Sequence, residues 1–218
     1  MTCRGVLFDL DGVLLDSNAA VQRAWSLWAR EVDVDVDQVL ALAHGRRTAD
    51  TIRLVAPQLD ANAEAVRIER REAGTTQGLR RCAGASALLS ALPASAWAVV
   101  TSGSRALATA RLRATGLPLP RALIAAEDVG DGKPHPACYL AGAAALGLAA
   151  HDCLVVEDAP AGVQAAKAAG MRVIAVTTTH ARADLVAADL ILSGVSRLRA
   201  ATTMAPEGSW TLTGLRVR

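Results

Sequence analysis

At 218 residues the chain can hold a core domain of about 150 residues plus a smaller insert. Its net charge of +2 is spread thinly, which argues against a nucleic-acid surface, and no run approaches the ~20 apolar residues of a membrane span. The longest apolar candidate, 140–150, is short and ends at His151 and Asp152, and acidic residues arrive from Asp9 onward, unlike a secretory signal. The expectation is a soluble, cytoplasmic chain. Its oligomeric state stays open, a monomer included.

The first element is a short apolar run, Gly5, Val6, Leu7 and Phe8, the pattern of a strand buried on both faces. Asp9, Asp11 and Gly12 follow at once. An isolated carboxylate is costly to bury, so both aspartates are expected where the strand ends and a ligand or solvent begins. Ser17 is placed to N-cap a helix reaching Glu31, with Val21, Ala24, Trp25 and Trp28 on one face. Asp37 is placed to cap a second helix over 38–43, a third covers 48–55, and a fourth covers 61–73. The charged run 67–72 is expected to be its solvent face. No strand signal interrupts this stretch, which reads as a helical insert over 17–80.

From Cys82 the pattern changes. Helices are expected over 85–92, 105–115, 136–146, 161–169 and 181–188, and strands over 96–102, 123–124, 153–157, 172–176 and 190–193. Helix, glycine, then apolar strand recurs at Gly116, Gly147 and Gly170, the mark of right-handed crossovers in a parallel sheet. The expected fold is α/β, a Rossmann-like doubly wound parallel sheet built from 1–16 and 81–218, with the helical insert as a lid. The tail from Ala201 alternates weakly at Trp210, Leu212 and Leu215, and no role is assigned to it.

The four cysteines (Cys3, Cys82, Cys138, Cys153) form no CxxC pair and read as buried thiols, and His135 with Cys138 lacks the second pair a zinc site needs. Only two of the 23 basic residues are lysines, Lys133 and Lys167. An ammonium point charge therefore invites a reason at Lys133, in the loop GDGKPHP; Lys167, within a helix, reads as solvated surface.

Four clusters fall at successive strand ends: Asp9 and Asp11; Thr101, Ser102 and Gly103; Lys133; and Glu157 with Asp158. Taken singly each has a bland reading, as a turn, a strand-end cap, a solvated loop lysine and a helix cap. Together, on one edge of a parallel sheet, they suit phosphoryl transfer through an aspartyl phosphate. One carboxylate attacks phosphorus, and the second serves the leaving oxygen and then the attacking water. Mg2+ held by the carboxylates would offset the repulsion, Lys133 would neutralise nucleophile and phosphate, and Thr101 with nearby backbone N–H groups would hold phosphate oxygens. A nucleotide P-loop is excluded, because Pro134 follows Gly132 and Lys133.

The set FDLDGVLLDS, VVTSGS, GKPHP and VVEDAPAG resembles the haloacid dehalogenase superfamily, in the branch with a helical cap after the first motif. The resemblance implies Asp9 as nucleophile, Asp11 as acid/base, and Thr101 and Lys133 as phosphate contacts. It also implies Asp9, the Asp11 backbone carbonyl, Glu157 and Asp158 around Mg2+. The segment AHGRRTAD over 43–50 is similar to glycerol-phosphate and 2-deoxyglucose-6-phosphate phosphatases, which implies Arg47 reaching the substrate's polar end, with His44 and Thr48 nearby. The expected function is a Mg2+-dependent phosphatase acting on a small sugar or polyol phosphate. A β-phosphoglucomutase is the rival, set back because Val21 stands where those mutases carry a histidine, and a non-catalytic phosphosugar binder is the third reading.

Overall fold

A computed structural model describes residues 1–204 and 210–217. The chain opens with β1 (Gly5–Phe8), followed by β2 (Leu15–Asp16) and four helices, α1 (Asn18–Glu31), α2 (Val36–Ala43), α3 (Thr48–Val55) and α4 (Ala61–Ala73). Next come β3 (Arg80–Arg81), α5 (Ala85–Ser90), β4 (Trp97–Val100), α6 (Arg105–Thr115) and β5 (Leu123–Ile124). The chain continues through α7 (Ala137–Ala145), β6 (Cys153–Glu157), α8 (Pro160–Ala168), β7 (Arg172–Val176) and β8 (Leu190–Leu192). It ends in β9 (Leu198–Met204) and β10 (Trp210–Val217).

Six strands form one parallel sheet in the order β5-β4-β1-β6-β7-β8, so β1 is central. The two-residue period of a strand divides its apolar residues between two cores. Val6 and Phe8 pack with Val99, Leu88 and Leu112 under α5 and α6, whereas Leu7 packs with Ala98, Val155 and Tyr139 under α7 and α8. This is the doubly wound architecture expected. The helices α1 to α4 enclose a third apolar cluster of their own, centred on Trp25, Trp28, Val39, Ile52 and Ile68. Among the described residues, no helix is long and apolar enough to cross a membrane.

Several local expectations are corrected. Ser17 occupies the N-cap position of α1, but its hydroxyl donates to Asp11 Oδ1 at 2.6 Å rather than capping the helix. The cap of α2 is Asp35, accepting from Gln38 N at 2.9 Å, so Asp37 falls inside the first turn. The run 67–72 is not all solvent face, because Ile68 and Glu72 are buried. The expected helix over 181–188 is a single 3-10 turn, Arg182–Leu185. Lys167 is exposed, as expected, and pairs at the surface with Asp189 at 2.8 Å.

Where no strand was expected, the two connections between sheet and insert pair as an antiparallel ribbon, Leu15 with Arg81 and Asp16 with Arg80. The tail does have a role. Strands β9 and β10 form a hairpin that buries Leu198, Leu212 and Leu215, and the chain start is stitched to it, with Leu215 N donating to Met1 O at 2.9 Å. The side chain of Trp210 lies outside the described residues.

Candidate active site

The C-terminal edge of the sheet and the helical insert enclose a cavity of about 420 Å3, reached by Asp9, Asp11, Thr101 and Asp158 from the sheet and by Trp25, His44, Arg46 and Thr48 from the insert. β1 delivers Asp9 to this edge, with Asp9 N still donating to Val156 O at 3.0 Å. The chain then turns sharply at Gly12, whose φ is +79°, a region that disfavours other residues. A Cβ there would also lie 2.0 Å from Asp158 Oδ2, so glycine brings the first motif against the fourth.

Behind Asp9, beneath the cavity, lies a buried charge cluster. Lys133 Nζ lies 2.5 Å from Asp9 Oδ1 and 2.7 Å from Glu157 Oε1. Burial works against its charge, but Asp9 and Glu157 outweigh that and hold its pKa well above the usual lysine range. Burial likewise raises Glu157, but Lys133 more than compensates and the carboxyl ends below its usual value. Asp9 shares the same cation less favourably. Burial, opposed by Lys133 and reinforced by Glu157, pushes it up to about 7. Asp158 is pushed well above the carboxylate range, by burial and then by the charges of Glu157 and Asp9.

The balance of charge decides how the residues fit a metal. Three buried carboxylates (Asp9, Glu157 and Asp158) face one buried ammonium, Lys133. A divalent cation suits that deficit. Glu157 is already engaged by protein donors. Its Oε1 accepts from Lys133 and from Tyr139 OH at 2.9 Å, and its Oε2 accepts from Asp158 N at 2.7 Å and Ala159 N at 2.9 Å. All its acceptor capacity is used in holding Lys133 and the turn into α8, and Gly162 leaves room for it, since a Cβ there would lie 1.6 Å from Oε1. Among the described residues, no three His, Cys, Asp or Glu side chains converge as a ligand set. The donors that remain are Asp9, Asp158 and the Asp11 carbonyl oxygen.

Thr101 is buried at the end of β4, and its hydroxyl oxygen accepts from Gly103 N at 3.1 Å. The Ser102 hydroxyl is turned away from the sheet and donates to Gly45 O at 3.0 Å, so Ser102 joins the insert to the core through its side chain. His44 lies in the cavity wall, 3.2 Å from Asn18 Oδ1 and edge-on to His180 at 6.1 Å between ring centroids. Thr48 borders the cavity and donates to Glu69 Oε1 at 2.9 Å.

Arg47 is the clearest departure. Its guanidinium donates to Val129 O at 2.7 Å and Gly130 O at 2.8 Å, clamping the insert to the loop before Lys133, and it borders a separate cleft. Its neighbour Arg46 borders both that cleft and the main cavity.

Sequence reasoning passed over Arg111 and Glu72. Arg111 Nη1 sits 2.8 Å from Asp11 Oδ2, and Nη2 pairs closely with Glu72, both residues being buried. The signal was there: each sits on the apolar stripe of its helix, Arg111 with Leu107, Ala108 and Leu112, and Glu72 with Ala61 and Ile68. Asp11 therefore has both carboxylate oxygens engaged, by Ser17 at the start of the insert and by Arg111 of α6.

With this geometry in hand, comparison with known proteins is direct. The family model described as "Hydrolase: haloacid dehalogenase-like hydrolase" matches residues 3–170. Hexitol phosphatase A of Escherichia coli (strain K12) is 46% identical over 213 residues, covering 95% of this chain and 98% of that protein. Glycerol-1-phosphate phosphohydrolase 2 of Saccharomyces cerevisiae is 38% identical over 186 residues, covering 79% and 74%. Among solved structures, a β-phosphoglucomutase from Clostridium difficile superposes with a TM-score of 0.77 at 20% identity over 89% of this chain and 92% of that one, a likeness of fold alone.

Proposed function

The chain belongs to the haloacid dehalogenase-like hydrolases and is a phosphatase, and on that premise we propose that it hydrolyses monophosphate esters of small polyols and sugars, hexitol phosphates first among them, through a phosphoryl group carried on Asp9. The observation that carries this reading is the pairing of two aspartates with separate surroundings. Asp9 faces the buried Lys133, whereas Asp11, two residues on, is held by Ser17 and Arg111.

The roles follow from those positions. Lys133 draws charge from Asp9 and would draw it from a phosphoryl group beside it, holding both in place for attack of a carboxylate oxygen on phosphorus. Thr101 and the backbone N–H groups at the start of α6 suit the phosphoryl oxygens. Asp11 is placed to give a proton to the departing alkoxide and then to take one from the water that attacks the phosphoryl–Asp9 ester. Members of this family generally use Mg2+, and Asp9, Asp158 and the Asp11 carbonyl oxygen are the groups to hold it. When bound it would supply the positive charge that lets an anionic phosphate approach a carboxylate. The helices α1 to α4, hinged on the β2–β3 ribbon, would close over the cavity and exclude bulk water.

The test is a substrate panel of hexitol phosphates, glycerol phosphates, 2-deoxyglucose 6-phosphate and β-glucose 1-phosphate, each with Mg2+ or EDTA. Phosphate release that needs Mg2+ and favours the polyol esters is expected. Formation of glucose 6-phosphate from β-glucose 1-phosphate without net phosphate release would establish the mutase reading instead. The side chain of Val21, apolar and on the cavity wall, offers no proton-transfer group there.

A further inference from the structure

The buried Glu72–Arg111 pair is weak evidence of a purely structural role. An apolar pair of similar volume would join α4 to α6 at no greater cost, because taking two charges out of water consumes most of what their attraction returns. Yet both side chains border the cavity, and they sit beside the carboxylate that serves the leaving oxygen. Arg111 is also short of acceptors: its Nε is buried and finds no hydrogen-bond partner among the described residues. A donor-rich guanidinium and an acceptor-only carboxylate side by side are what a hydroxyl group needs, since it can accept from one and donate to the other.

We propose that Glu72 and Arg111 form a subsite that recognises the hydroxyl on the carbon next to the phosphorylated carbon of the substrate. The position follows from the geometry. Arg111 Nη1 is 2.8 Å from Asp11 Oδ2, and Asp11 is the group placed to protonate the ester oxygen. In a 1,2-diol monophosphate the neighbouring hydroxyl lies about one hydrogen-bond length from that oxygen, so an ester seated on Asp9 and Asp11 brings this hydroxyl to the guanidinium and its carboxylate partner. One member of the pair comes from the insert and the other from the core, so the subsite is complete only when α4 lies against α6. A substrate with the hydroxyl would thus bridge the two halves of the molecule at the leaving group itself.

The inference rests on the polyol-phosphatase reading, and a cycle of substrate against enzyme separates the two. Glycerol 1-phosphate and 3-hydroxypropyl phosphate differ only in the hydroxyl at the second carbon. For the native enzyme kcat/KM should favour glycerol 1-phosphate by about 10- to 100-fold, the worth of a hydrogen bond to a charged group. In the double variant Glu72→Leu/Arg111→Met, which removes both charges of the pair and, with Arg111, the ion-pair partner of Asp11, the ratio should fall to near one, whatever loss the two substrates share. Glu72→Gln, which keeps the shape and removes the charge, should give an intermediate ratio. Thermal melting of each variant reports whether it is folded. A native enzyme indifferent to the hydroxyl, or a double variant that loses activity on both substrates while keeping the native ratio, would overturn the subsite and leave the polyol reading standing. A native enzyme that hydrolyses other phosphate esters but no polyol phosphate would overturn both.

Discussion

Replacing Asp9 by asparagine should abolish turnover and, in the absence of metal, make the protein more stable. The loss of activity should be about 10^4-fold or more, the scale seen when a nucleophile is removed from an enzyme, because an amide oxygen does not form the phosphoryl ester. The gain in stability has a separate cause. Burial, with the charge of Glu157 opposing the help from Lys133, raises Asp9 to about 7, well above its value of about 3.9 in an unfolded chain. A group whose folded pKa is raised binds its proton more tightly in the native state, so the native protein loses stability as pH rises between those two values. Asparagine does not titrate. The melting temperature of Asp9→Asn should match the native protein near pH 4, exceed it increasingly up to about pH 7, and hold a constant margin above that. Thermal melts in EDTA across this range check it; a variant less stable than the native protein at pH 8 would show that Asp9 carries no such burden.

Lys133→Met should act in the opposite direction on stability. The ammonium is the buried cation shared by Asp9 and Glu157, and removing it leaves those carboxylates and Asp158 with only neutral partners in the cluster. Breaking a buried pair from one side costs about 3–5 kcal/mol, which in a chain of this size lowers the melting temperature by about 10 °C. The deficit should be largest at pH 8 and shrink toward pH 5, because Asp9 and Asp158, already pushed up, take protons and cease to need the cation. Catalysis should fall as well, through loss of the charge that faces the nucleophile. Equal melting temperatures for variant and native protein at pH 8 in EDTA would contradict this account of the cluster.

The sequence made the skeleton of this site legible for a physical reason. A parallel sheet puts every strand's C-terminal end on one edge, so polar clusters closing successive apolar runs must converge, and Asp9, Thr101 and Asp158 line one cavity with Lys133 paired to Asp9 behind it. The helical insert was equally plain, because capping residues and glycines punctuate it and its apolar stripes repeat at helical spacing. What escaped is of another kind. Whether Glu157 meets a metal or Lys133 depends on the direction of one side chain, set by Gly162 and Tyr139 from other elements. Arg46 and Arg47 are neighbours, and the turn into α3 decides which faces the cavity and which clamps the loop at Val129 and Gly130. The hairpin of β9 and β10 has a weak pattern because it relies on pairing with itself and on contacts with the chain start, more than two hundred positions away. Glu72 and Arg111 were visible as charges on apolar helix faces, but their meaning came only from finding them on each other and on Asp11.

The central claim is that Asp9 carries the phosphoryl group, and trapping that species tests it most directly. The enzyme would be mixed with substrate and Mg2+, quenched in acid during turnover, treated with borotritide and digested, so that an acyl phosphate on an aspartate is reduced and labelled in place. Label confined to the peptide that contains Asp9, and absent from Asp9→Asn, is the predicted result. Label on another carboxylate, or turnover with no labelled peptide and full activity in Asp9→Asn, would contradict the covalent mechanism and the role assigned to the first strand.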